Sequence, residues 1–307
     1  ATTQTVNLTY TITPGTAPVI TTQPISQSVC VGGSISYVIA ATGASLFQWQ
    51  ISTAGCAGPW SDISNGGVYS GATTATLNIT GATTGMNNYG YRCIVTSSCS
   101  PIAVTSNCGS LTVNATANIT GQPANSTVCA GSNTSFTIAA SGSSLTYQWE
   151  LSTDGGISYS SIVNGGVYTG VTTATLNLTA VIAGMNSYRY RCIINACSTS
   201  MTSSPAILTV NLPVGITNNP VSKTICNTGT TNFAVTASGS SPVYQWQLST
   251  VGAGGPWINI ANGGVYSGVT AATLTLSGVT GAMNAYQYRC AVTGPGVCGS
   301  VHLHRAF

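Results

Sequence analysis

The chain has 307 residues, 43% of them hydrophobic and only 3% charged, with six basic and three acidic side chains and a net charge of +3. So apolar a chain is not disordered, and it lacks the basic patch that a nucleic-acid partner needs. No run of about 20 apolar residues is present to cross a membrane as a helix. Thr, Ser, Gly, Val and Ile dominate while Glu, Lys and Leu are scarce, which favours short strands and turns over long helices, an all-β chain of two to three domains. Eleven cysteines point to an oxidising, extracellular setting. No signal peptide is visible, as expected of a processed chain.

The first element in chain order is Thr5-Val6-Asn7-Leu8-Thr9-Tyr10-Thr11-Ile12. Val6, Leu8, Tyr10 and Ile12 share one face, and the polar residues share the other, the alternation of a half-buried strand. No partner strand precedes it. Thr13-Pro14-Gly15-Thr16-Ala17-Pro18 reads as a joint, so residues 1–17 form a free strand and linker.

Three repeats follow. Cys30-Val31-Gly32, Cys129-Ala130-Gly131 and Cys226-Asn227-Thr228 open them, 99 and 97 residues apart. Each continues with Phe/Tyr-Gln-Trp around Trp49, Trp149 and Trp246, then with Gly-Gly-Val-Tyr at 66–69, 165–168 and 263–266. An alternating strand comes next at 75–79, 174–178 and 272–276, and then Tyr-Arg-Cys at 91–93, 190–192 and 288–290. Five blocks in one order divide the chain into domains at 18–114, 115–212 and 213–307. A period near 100 residues with short strands suggests a β-sandwich in each.

These blocks resemble immunoglobulin-like (Ig-like) domains, above all the tandem Ig-like repeats of large surface proteins of Bacteroidetes-type bacteria. The resemblance covers about 290 residues and implies that Trp49, Trp149 and Trp246 are the buried tryptophans of strand C. It also implies that Tyr91, Tyr190 and Tyr288, each two residues before a cysteine, form the tyrosine corner of strand F. The sequence departs from antibody domains at strand B, where Ile39, Ile138 and Val235 stand in place of cysteine. Cys93, Cys192 and Cys290 therefore lack their usual partner and are expected as buried thiols.

The resemblance also places Cys30, Cys129 and Cys226 at the opposite end of a sandwich from Cys99, Cys197 and Cys298, beyond the reach of a disulfide within one domain. Interdomain bridges Cys30–Cys197 and Cys129–Cys298 follow, leaving Cys226 and Cys99 to pair between successive subunits. The alternative is a bridge inside each repeat, from Cys30 to Cys93 or Cys99 and so on. Cys56 and Cys108 occur only in repeat one and are expected to pair with each other.

Repeats one and two end in a Leu-Thr-Val element, Leu111-Thr112-Val113 and Leu208-Thr209-Val210, which reads as strand G. After Cys298 only nine residues remain, Gly299 to Phe307, without that ending. Repeat three is thus expected to be incomplete, with an open edge that the residue 5–12 strand of another copy fills in donor-strand fashion. Such a heterologous contact does not close and builds a filament.

The inventory argues against an enzyme. Asp62, Glu150 and Asp154 are the only acids and form no pair for acid–base work; Asp154 reads as a turn former. No metal or cofactor site is predicted: the cysteines lack zinc spacing, and His302 and His304 have no third ligand. Arg92, Arg191 and Arg289 read as solvated strand positions. Asn7, Asn78, Asn114, Asn118, Asn125, Asn133 and Asn177 begin Asn-X-Ser/Thr sequons, and covalent glycan there would offset the shortage of charge. The expected function is a structural subunit of an extracellular, glycosylated homopolymer, resembling donor-strand fibrils and pili. The alternative is a stalk or carbohydrate-binding repeat of a cell-surface adhesin.

Overall fold

The computed structural model describes residues 4, 16–98, 100–299 and 302–306. It is all-β, broken only by single-turn 3-10 helices. Two compact units divide it. One holds the described residues up to Asn118 with Ala140–Thr146 and Ile194–Met201; the other holds Ile119–Ala139, Tyr147–Ile193 and the described residues from Thr202 onward. The first unit thus combines repeat one with three short pieces of repeat two, 115–118, 140–146 and 194–201.

Repeat one is a two-layer sandwich. One sheet contains strand B (Ile35–Val38) against E (Thr76–Ile79) against D (Tyr69–Ser70). Strand A (Val19–Thr22) pairs with Ala40–Thr42 beside it. The other sheet runs A′ (Gln27–Cys30), G (Gly109–Asn114), F (Gly90–Ser97), C (Leu46–Ser52) and C′ (Ser61–Asp62). Strand G lies parallel to A′, Leu111 opposite Gln27 through Asn114 opposite Cys30. Strand alternation explains the core: Tyr37, Leu77, Ile79, Trp49, Tyr91, Cys93, Val95 and Leu111 point inward and are fully buried. At about 25 cal/mol per Å² of apolar area removed from water, these side chains supply most of the folding force.

Repeat two has the same sheet order, with A′ (Ser126–Cys129) parallel to G (Ala206–Asn211). Each tryptophan is fully buried, and its indole N–H donates to a carbonyl across the core: Thr74 at 2.9 Å, Thr173 at 3.0 Å and Ala271 at 2.9 Å. The Gly-Gly-Val-Tyr block is a turn in which Gly66 and Tyr69 exchange backbone hydrogen bonds, Gly67 holding φ 58°.

Repeat three corrects the expectation of a wholly missing last strand. His302–Ala306 is a strand antiparallel to F (Gln287–Thr293), His302 opposite Val292 through Ala306 opposite Tyr288. In repeats one and two, Gly109 and Ala206 take the place opposite the equivalent tyrosine. Half of strand G is therefore present. The half that carries Leu-Thr-Val-Asn elsewhere has no counterpart among the described residues. Lys223–Cys226, where A′ would be, joins no sheet.

Candidate functional site: an open groove in repeat three

Where repeats one and two place that half-strand, the described residues of repeat three border a groove of about 270 Å³, with Lys223–Asn227 on one side, Met283–Tyr286 on the other, and Phe233 and Leu276 in its floor. The other repeats show what fills such a groove. Leu111 and Leu208 are fully buried in it, and Val113 and Val210 are each 6% exposed. Met86 and Met185 close beneath them at 6% and 4% exposure, whereas the equivalent Met283 is not buried.

The polar lining is equally specific. In repeat one, Asn88 N–H donates to Leu111 O (2.8 Å), Leu111 N–H to Tyr89 O (2.8 Å), Val113 N–H to Asn87 Oδ1 (2.9 Å) and Val31 N–H to Asn114 O (2.9 Å). Repeat two repeats all four, through Ser187, Tyr188, Asn186 and Ala130, at 2.8–2.9 Å. In repeat three the corresponding Ala285 N–H, Tyr286 carbonyl, Asn284 Oδ1 and Asn227 N–H have no partner among the described residues. Ala285 nevertheless keeps the left-handed conformation of its counterparts, φ 65° against 69° at Asn88 and 70° at Ser187. For alanine that conformation costs about 1–2 kcal/mol. In the other repeats it aims the N–H at strand G, so repeat three holds its donor already aimed.

The cysteines fall into three classes. Cys30 is bonded to Cys197, Cys129 to Cys298 and Cys56 to Cys108. Each of the first two lies inside one of the compact units and joins successive repeats. Cys93, Cys192 and Cys290 are buried thiols on strand F, each packed in a core that also contains Ile39, Ile138 or Val235 in place of the strand B cysteine. Burial pushes all three up to about 11, against a small opposing effect of a backbone hydrogen bond. Cys226 is an exposed thiol at the groove. Cys99, Asn7 and the strand residues Val6, Leu8, Tyr10 and Ile12 lie outside the described residues.

Two expectations are corrected. The strand F tyrosines do not form a tyrosine corner: Tyr91, Tyr190 and Tyr288 bond through their hydroxyls to Tyr69, Tyr168 and Tyr266, at 3.1, 3.2 and 3.3 Å. The arginines are not merely solvated. The guanidinium of Arg92 lies 4.3 Å over Trp60, that of Arg191 3.9 Å over Tyr159 and that of Arg289 4.3 Å over Trp257. Their Nε groups donate to Gln50, Glu150 and Gln247 on strand C, at 2.9, 2.7 and 2.7 Å. The repeated Met-Asn-x-Tyr at 86–89, 185–188 and 283–286 was the sequence signal for the groove wall.

Asp154 does form a turn, its carboxylate accepting from Ser152, Ile157 and Ser158, which holds its pKa well below the usual carboxylate range. Of the sequons, Asn78, Asn118, Asn125, Asn133 and Asn177 are exposed and Asn114 is half-buried. The side-chain oxygens of Asn125 and Asn133 accept backbone hydrogen bonds, and the Asn114 amide donates to Ser28.

Comparison with known structures places the fold. The three-domain titin fragment I67–I69, as an E-to-A variant, matches with a TM-score of 0.63 at 17% identity, over 94% of this chain and 97% of that one. Sidekick-1 immunoglobulin domains 1–5 match with a TM-score of 0.50 at 17% identity, over 95% and 58%. The N-terminal eight Ig domains of the Down Syndrome Cell Adhesion Molecule match at 0.53 and 14% identity, over 95% and 36%. At these identities the likeness establishes tandem Ig-like domains and no more. A family model described as a domain of unknown function, DUF8696, matches residues 118–212, a single repeat. No curated protein matches the chain.

Proposed function

We propose that the protein is a structural subunit that polymerises head to tail outside the cell, the residue 5–12 strand of one copy completing repeat three of the next. The groove in repeat three supports this reading, because repeats one and two show what fills the equivalent place in them. Their fillers are Gly109-Ser110-Leu111-Thr112-Val113 and Ala206-Ile207-Leu208-Thr209-Val210-Asn211-Leu212. Val6-Asn7-Leu8-Thr9-Tyr10-Thr11-Ile12 matches the second in register, Leu8 on Leu208, Tyr10 on Val210 and Ile12 on Leu212. In that register Leu8 meets the Ala285 N–H and Tyr286 carbonyl, and Tyr10 offers its N–H to Asn284 Oδ1 and covers Met283. Val6 takes the place of Ala306 opposite Tyr288, so the donor displaces the end of His302–Ala306.

Three further features suit an extracellular polymer. Disulfides join successive repeats, the surface is nearly uncharged and so prone to associate, and exposed sequons offer sites for glycan. Negative-stain microscopy of the full chain and of the Leu8→Asp, Tyr10→Asp double variant tests the proposal. Filaments from the parent and none from the variant are expected. Filaments from both would refute donor-strand assembly, and filaments from neither would leave the chain as an adhesin stalk.

A further inference from the structure

We propose that the strand F thiols of repeats two and three are latent nucleophiles that undo the bridges between repeats: once its repeat opens, Cys290 displaces Cys129 from Cys298, and Cys192 displaces Cys30 from Cys197. The proposal does not depend on assembly into a filament. Each buried thiol stands shortly before a bridged cysteine, by 298 − 290 = 8 residues in repeat three and 197 − 192 = 5 in repeat two.

The fold and the free chain prefer different partners. In the folded protein Cys129 and Cys298 have Cα atoms 5.3 Å apart, and Cys30 and Cys197 5.5 Å apart, within the span a disulfide tolerates. Cys290 is meanwhile sealed opposite Trp246 in a core with Phe233 and Val235, which Cys298 does not join. Cys192 is also fully buried, in a strand F that runs on to Ala196. Those four residues of strand span about 13 Å, roughly twice the reach of a disulfide. Burial also holds both thiols at about 11, against an ordinary 9.0, so almost none is thiolate at neutral pH.

Opening the sandwich removes these restraints. In a free chain a bridge between cysteines eight residues apart closes a far smaller loop than one spanning 169, and loop entropy favours it about 100-fold. The thiolate share also rises about 100-fold as each thiol returns to its ordinary value. The Cys290 thiolate then attacks Sγ of Cys298. The Cys290–Cys298 bond forms, the Cys298–Cys129 bond breaks, and Cys129 leaves as a thiolate that takes up the proton Cys290 gave up. One disulfide and one thiol stand on each side, so no oxidant or reductant is consumed. Uncatalysed exchange takes minutes or longer, so the bridges hold against a brief load and yield to a sustained one.

The test unfolds the oxidised full chain in guanidinium chloride at about pH 8 without added thiol, then quenches in acid, alkylates and maps peptides. Cys290–Cys298 and Cys192–Cys197 peptides are expected, with Cys129 and Cys30 alkylated. The folded chain under the same buffer without denaturant should keep both original bridges. Unfolding at about pH 5 should slow the exchange about 1,000-fold through loss of thiolate. Cys290→Ala should spare the Cys129–Cys298 bridge while Cys30 is still released, and Cys226→Ser should change nothing. An intact Cys129–Cys298 peptide from the unfolded parent would overturn the proposal. Release of Cys129 undiminished in Cys290→Ala would overturn it too, assigning the attack to another thiol such as the exposed Cys226.

Discussion

Repeats one and three are built from the same blocks, yet one has a sealed core and the other an open one. Tyr37 and Ile79 are fully buried in repeat one, while their counterparts Phe233 and Leu276 are 8% and 3% exposed. The tryptophans do not differ at all: Trp49 and Trp246 are both fully buried. The contrast is therefore confined to the wall that Leu111 and Val113 cover.

The largest test of that contrast is Leu111→Ala, expected to cost repeat one about 2–5 kcal/mol, as is typical of a fully buried leucine. Hydrogen exchange resolved by repeat should show the loss in repeat one alone, and an effect below about 1 kcal/mol would mean that strand G is dispensable there too. Next, residues 4–14 joined behind Phe307 by a short glycine linker should seal repeat three from within. Burying a leucine and a tyrosine at about 1.5–3 kcal/mol each should raise its unfolding midpoint in denaturant and stop assembly.

A third test uses pH. The thiols of Cys93 and Cys290 both rise from 9.0 to about 11 on folding. An acid whose folded pKa is raised stabilises the fold while it is protonated, and that stability falls as pH passes the unfolded value toward the folded one. Each repeat should therefore lose about 2 kcal/mol between pH 9 and pH 11, and Cys→Ala variants should flatten the curve. A shallower loss in repeat three would mean that the groove lets water reach its thiol. Fourth, Ala285→Gly should stabilise the free repeat three by about 1 kcal/mol by relieving its left-handed backbone. The smallest effect, about 0.5–1 kcal/mol, is expected for Arg92→Ala and Arg289→Ala through the lost stacking on Trp60 and Trp257. Equal values would show that the two repeats differ only at the groove.

Much of this was legible from residues alone. Period-2 alternation and five ordered blocks gave the strands and the three sandwiches, because strand geometry forces every second side chain inward. The Leu-Thr-Val blocks of repeats one and two marked the half of strand G that is buried there. What was not legible is what depends on pairing across sheets. The five-residue strand His302–Ala306 has little alternation and owes its place to backbone hydrogen bonds with strand F. The tyrosine pairs and the arginine stacks each join blocks 22 to 32 residues apart in sequence, and nothing in either block alone announces the other. The unpartnered Ala285 N–H needed a backbone dihedral to be seen.

The two bridges between repeats also interlock, since Cys129 lies inside the loop closed by Cys30 and Cys197, and Cys197 lies inside that closed by Cys129 and Cys298. For a load pulling on Cys30 and Cys298, the shortest covalent route crosses both bridges and only the segment between Cys129 and Cys197. That route contains 68 residues of backbone, where the unbridged chain would pay out 268. At about 3.5 Å per residue the limit of extension drops from roughly 940 Å to roughly 240 Å. Even with every sandwich torn open, the chain would act as a short tether with a hard stop.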